Sequence, residues 1–118
     1  MLRLKRVYEP VVAEDGRRIL VDRLWPRGIS RESARIDAWL KEIAPSDQLR
    51  RWFGHDPEKL EEFRSRYQEE LIGHALLVGQ LRDEAADTTV TLLFAAHDSE
   101  RNNAVVLKEA IESYQKES

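Results

Sequence analysis

The chain has 118 residues and a mass of 13.8 kDa, the size of one ordinary domain, and is 42% apolar and 35% charged with no cysteine. Disulfides, thiolate nucleophiles, iron–sulfur clusters and cysteine-based zinc sites are thereby excluded; without an apolar run near about 18 residues or a signal-like N-terminus, a cytoplasmic protein with no membrane partner is expected. The net charge of −3 divides unevenly, +3 over residues 1–66 and −6 over residues 67–118, and 14 of the 19 basic residues are arginine.

Leu2–Tyr8 alternates apolar and basic residues and predicts a strand near a sheet edge. Asp15-Gly16 is a turn signal. Ile19–Leu24 predicts a second strand, apolar except for Asp22 and Arg23. Pro26 and Gly28 then take the chain out of regular structure. Residues 33–44 carry two patterns: Ile36, Trp39, Leu40 and Ile43 fit a helical stripe, whereas Ile36, Ala38 and Leu40 alternate as in a strand. The helical reading is preferred.

Ser46 is placed to cap a short helix over Asp47–Phe53, which Gly54 ends. Asp56-Pro57 opens a helical pattern through Leu60, Phe63, Tyr67 and Leu71, broken near Gly73 before Leu77 and Leu81. Thr88–Ala96 is apolar on both faces and predicts a central, parallel strand. After a turn at His97–Ser99, Arg101–Tyr114 predicts a closing helix, and residues 115–118 are expected to fray. Buried strands separated by helices predict an α/β fold: a small single domain over residues 1–118, with a central, largely parallel sheet flanked by helices.

Ligands of such sheets sit beyond the carboxyl ends of the strands, where two polar clusters fall. In the first, Asp22 is a candidate general base or the orienter of an arginine. Arg23 and Arg27 are candidates to clamp an anion, since the planar guanidinium suits phosphate and carboxylate, with Trp25 as a stacking wall. A buried Asp–Arg pair that only fixes the loop is the competing reading. In the second cluster, Asn102 and Asn103 open a helix whose exposed amides favour anions, while Asp98 or Ser99 serves as its cap.

A third group, Ser46, Arg50 and His55, borders the same region. His55 is a candidate acid–base group, though an isolated turn histidine is more often plain surface. Capping accounts for Ser46 without a nucleophilic role. Trp39 and Trp52 read as core residues. Arg64 shares a helix face with Tyr67, and either reaches the cleft or, by default, pairs with Glu61. His55, His74 and His97 lack metal-ligand spacing and no phosphate-binding glycine motif occurs, so neither a metal nor a cofactor is called for.

The blocks KRVYEP, ILVDRLWPRG, DAWLKEIAPSDQLRRWF, FRSRYQEEL and TLLFAA followed by NNAVVL resemble, in this order, the bacterial YeaO-like family, the domain-of-unknown-function 488 family. The resemblance implies a compact α/β domain and no particular reaction. It places the family's polar signature on Asp22, Arg23, Trp25, Pro26, Arg27 and Gly28, then on Trp39, Lys41, Pro45, Ser46, Leu49 and Arg50. It continues on Phe63, Arg64 and Tyr67 and ends on Asn102 and Ala104. Asn103 stands where the family often has histidine, which disfavours a mechanism needing an imidazole there.

The leading expectation is a cleft for a small anionic ligand, phosphate- or nucleotide-like. If there is catalysis, Asp22 or His55 is the acid–base group and arginines stabilise charge. A nucleic-acid module built on the Arg- and Trp-rich first half is the alternative, weakened by the acidic second half. A protein-interaction or self-associating domain is the third. The sequence does not set the oligomeric state.

Overall fold

The computed structural model describes residues 1–114; the expectation for residues 115–118 lies outside them. Four strands, β1 (Leu2–Arg6), β2 (Arg17–Leu20), β3 (Ala38–Trp39) and β4 (Val90–Phe94), form one sheet in the order β1-β4-β2-β3. Every pairing is parallel. The helices are α1 (Asp47–Phe53), α2 (Leu60–Ile72), α3 (Ala75–Asp87) and α4 (Asn103–Ser113). Among the described residues no helix is long and apolar enough to cross a membrane.

β4 is the centre of the sheet because it is apolar on both faces, and all five of its residues are buried. Its alternating side chains divide the core in two. Val90, Leu92 and Phe94 join Ile19 and Val21 against Leu49, Phe63, Tyr67, Val78, Leu81, Val106, Leu107 and Ile111, drawn from all four helices. On the other face Leu93, Leu20 and Val7 meet Ala34 and Ile36, with Trp25, Ile29 and Trp39 beside them. That second face is covered by irregular chain from the β2–β3 connection. The helices therefore flank one face of the sheet only.

Residues 33–44 depart from the helical expectation. Ala38–Trp39 pairs with Ile19–Leu20 as the edge strand β3, and a 3-10 turn follows at Lys41–Ile43. Ala38 and Leu40 pack on the helical face while Trp39 packs on the other, so the alternating pattern was the operative one. β2 stops at Leu20, four residues short of expectation, although the Val21 N–H still reaches the Leu93 carbonyl at 3.1 Å. β1 is half-buried at the opposite edge, as its alternation suggests.

The short helix α1 forms as expected. Ser46 accepts the Leu49 N–H at 3.2 Å, and Gly54 closes the helix in the left-handed region at φ 53°. Gly73 separates α2 from α3. α4 begins two residues later than expected, because Asn102 caps it rather than Asp98 or Ser99. Trp39 and Trp52 are half-buried and line the core instead of filling it.

Candidate functional site

Asp22 follows β2 by two residues and stands at the carboxyl ends of the two central strands. One carboxylate oxygen accepts the Ala95 N–H at 2.9 Å and the other accepts Asn103 Nδ2 at 3.1 Å. The same Asn103 amide donates to the Val21 carbonyl at 3.1 Å, and the Trp39 indole N–H donates to the Asp22 carbonyl at 2.7 Å. Asp22 thus joins β2, β3, β4 and the first residue of α4. Burial pushes its carboxyl above the ordinary aspartate range; the Ala95 N–H, the Asn103 amide and the nearby His55 offset only part of that.

His55 is exposed and follows Gly54 in a second left-handed residue, at φ 58°, a conformation uncommon outside glycine and the Asn, Asp and His types. Its ring lies 6.0 Å from that of Phe53. Tyr67 is fully buried and donates its hydroxyl to the Ile43 carbonyl at 2.6 Å. Burial raises its pKa well above the usual tyrosine value, the charges of Asp22 and Glu70 add to this, and Arg23 opposes them. Asp22, His55, Tyr67 and Arg23 therefore share one electrostatic neighbourhood.

Arg23 donates Nε to the Pro45 carbonyl at 2.8 Å and Nη2 to the Ala44 carbonyl at 3.3 Å, tying the loop after β2 to the chain entering α1. Arg27 is exposed; its carbonyl accepts the Tyr8 hydroxyl at 2.8 Å, and its guanidinium has no partner among the described residues. Trp25 donates to the Ile29 carbonyl at 2.7 Å and packs edge-on against Trp39, with ring centroids 5.3 Å apart.

The remaining candidates are engaged within the fold. Besides capping α1, Ser46 holds both oxygens of Glu70, through its N–H at 2.8 Å and its hydroxyl at 2.7 Å. Arg50 pairs with Asp47 at 3.3 Å, and its buried Nε has no partner among the described residues. Arg64 pairs with Glu109 of α4 and not with Glu61, which locks two helices together. Asn102 is buried, accepting the Val105 N–H at 3.1 Å and donating to the Asp98 carbonyl at 2.8 Å.

Arg17, Arg18, Arg50, Arg64, Arg66 and Arg101 each form an ion pair with a carboxylate. Arg6, Arg23 and Arg27, which end or follow β1 and β2, form none among the described residues, and neither do Arg3, Arg31, Arg35 and Arg51 elsewhere. Arg6, Tyr8 and His97 also belong to this end of the sheet; the sequence places His97 in the turn that opens the second cluster, whereas Arg6 and Tyr8 read only as strand residues. The sequence runs the first strand on to Tyr8; that it ends at Arg6, against the exit of β4, depends on the pairing Arg6↔Phe94.

A parallel α/β sheet with a polar cluster beyond its central strands defines the class. Over residues 1–118 the chain matches the family described as the inactive DUF488-N3 subclade. It is 44% identical over 110 residues to an uncharacterised protein of Mycobacterium tuberculosis, covering 93% of this chain and 92% of that one. It is 42% identical over 112 residues to the uncharacterised protein YeaO of Escherichia coli, covering 95% and 97%. The chain belongs to this YeaO-like DUF488 family, as its sequence blocks imply. No solved structure matches it significantly.

Proposed function

We propose that this protein binds a small anionic ligand beyond the carboxyl ends of its strands, and holds it rather than transforming it. The observation that carries this reading is that Arg23 and Arg27, in the loop that follows β2 and Asp22, have no carboxylate paired to either among the described residues. Guanidinium groups left without counter-charge at a strand end suit a phosphate or carboxylate ligand. Asp22 accepts one hydrogen bond at each oxygen, from Ala95 and Asn103, which fixes its orientation and leaves lone pairs open to a ligand donor. His55 stands at the rim. The family's description as an inactive subclade supports binding over turnover.

Calorimetric titration with inorganic phosphate and with AMP tests the reading. Saturable binding is expected, weakened by about tenfold or more in Arg27→Ala, the loss of one charge-assisted contact. Absence of saturable binding to either would remove the reading, as would an Arg27→Ala protein with unchanged affinity.

A further inference from the structure

The exit of β4 presents its two sides to different partners. Ala95 directs its N–H to Asp22, on the β2 side. Ala96 directs its carbonyl to Arg6 Nε at 3.1 Å, on the β1 side. Successive residues of an extended chain point to opposite edges, so Asp22 and Arg6 flank one short stretch of backbone. The exit of β4 is thus held on both sides, by Asp22 on one and Arg6 on the other.

The β1 side is built from interactions that leave cationic donors open. The Arg6 guanidinium lies over the Tyr8 ring, 4.7 Å from its centroid, and its Nη2 lies 3.2 Å from His97 Nδ1. A guanidinium nitrogen only donates, so His97 Nδ1 accepts and the ring proton resides on Nε2. Nη1 of Arg6 has no partner among the described residues, and the exposed His97 ring retains its Nε2 donor. Tyr8, which carries Arg6, also holds the Arg27 carbonyl through its hydroxyl. The Arg6 guanidinium and the Arg27 backbone are thus joined through one aromatic side chain, which sets the Arg27 side chain out from the same end of the sheet.

The nearby carboxylates are otherwise engaged. Glu9 accepts the Arg6 backbone N–H at 2.8 Å, and Asp98 accepts the N–H groups of Glu100 and Arg101 together with the Arg101 guanidinium. The half-buried Arg6 guanidinium, held by a carbonyl, an imidazole and an aromatic face, makes no ion pair with a carboxylate among the described residues. Orienting it this way fixes the fork that a phosphate requires.

We infer that Arg6, His97 and Arg27, arranged around Tyr8, form the seat for the phosphate of a phosphomonoester whose uncharged polar part crosses the β4 exit to Asp22 and Asn103. This rests on the anion-binding reading above and moves its principal contact from Arg23 to Arg6. Arg23, with Nε and Nη2 spent on the Ala44 and Pro45 carbonyls, braces the loop.

The test is titration of the full chain with inorganic phosphate and with AMP, alongside amide and arginine Nε chemical-shift mapping. Arg6→Gln and His97→Gln are each expected to weaken both probes by about tenfold or more, with wild-type shifts centred on Arg6, Ala96 and His97. Asp22→Asn is expected to weaken AMP and leave inorganic phosphate unchanged. Arg6→Lys, which keeps the charge without the fork, gives an intermediate loss and serves if Arg6→Gln does not fold. Phosphate binding that survives Arg6→Gln and His97→Gln but not Arg27→Ala overturns the inference and leaves the broader reading intact. No binding of either probe overturns both.

Discussion

Asp22 is half-buried and held by two neutral donors, so its ionisation opposes folding more than its hydrogen bonds favour it. Its folded pKa lies above the unfolded value of about 3.9, which means the native state binds a proton more tightly than the unfolded chain. Its contribution to stability is fully present below the unfolded pKa and is lost as pH rises through the raised one. Asp22→Asn removes that dependence. Thermal melts from pH 4 upward are expected to show a flatter profile for the variant, and carboxyl NMR should place Asp22 above the ordinary aspartate midpoint. A midpoint at or below that of a free aspartate would contradict the burial argument. Asp22 and Asn102 were both visible in the sequence as polar residues at element ends. That this helix start would lie at the same strand ends as Asp22 was expected; that Asn103, eighty-one positions away, and not Asn102 makes the contact was not, because no local pattern encodes which side chain of a helix start will face a neighbouring strand.

At the scale of elements, α1 shows how far local chemistry reaches. Its seven residues are bracketed by a serine cap and a left-handed glycine, both readable in sequence. What was not readable is that Glu70 of α2 grips the capping serine through two hydrogen bonds, coupling the α1 start to a second helix. Ser46→Ala is therefore expected to cost about 1–2 kcal/mol, from loss of the cap together with the bond to a charged acceptor, measurable by urea denaturation. A change below about 0.3 kcal/mol would show the Glu70 contact to be idle. β3 is the opposite case. Two residues cannot stabilise a strand by themselves; they are recruited by the free edge of β2, which overrides a helical stripe of comparable strength. Arg64 was also misjudged locally, for Glu109 on α4 outcompetes the same-helix Glu61.

Across the whole molecule, the helix-free face of the sheet is held by a buried ionic centre. Asp15 is fully buried and meets Arg18 of β2 at 2.6 Å and Lys5 of β1 at 3.1 Å, while its carbonyl accepts the Thr91 hydroxyl of β4 at 2.7 Å. Three strands are joined through one residue of a turn. Burial alone would raise its pKa, but the Val12 N–H, Lys5 and Arg18 together hold it below the ordinary value. Its contribution is present above the unfolded pKa and is lost as pH falls through the depressed one, the reverse of Asp22. Asp15→Ala leaves the buried Arg18 and the half-buried Lys5 without their carboxylate and is expected to cost about 3 kcal/mol or more at neutral pH, with the loss shrinking in acid. A variant as stable as wild type at pH 7 would show the pairing to be inconsequential. Beside it, Gly16 at φ 62° brings its backbone so close to the Thr89 carbonyl that a Cβ could not be accommodated.

Sequence by itself determined whatever rests on neighbours a few residues apart: the caps at Ser46 and Asp56, the closures at Gly54 and Gly73, the doubly apolar strand at β4, and the family blocks. Short-range hydrogen bonding and hydrophobic period decide those features, and both are written in consecutive residues. Only the tertiary structure decided the order β1-β4-β2-β3, the confinement of all four helices to one face, and the strand end where Asp22 meets Asn103 and Arg6 meets His97. Those depend on which distant apolar surfaces bury one another, a choice made by the chain as a whole and only afterwards inherited by the polar residues at its strand ends.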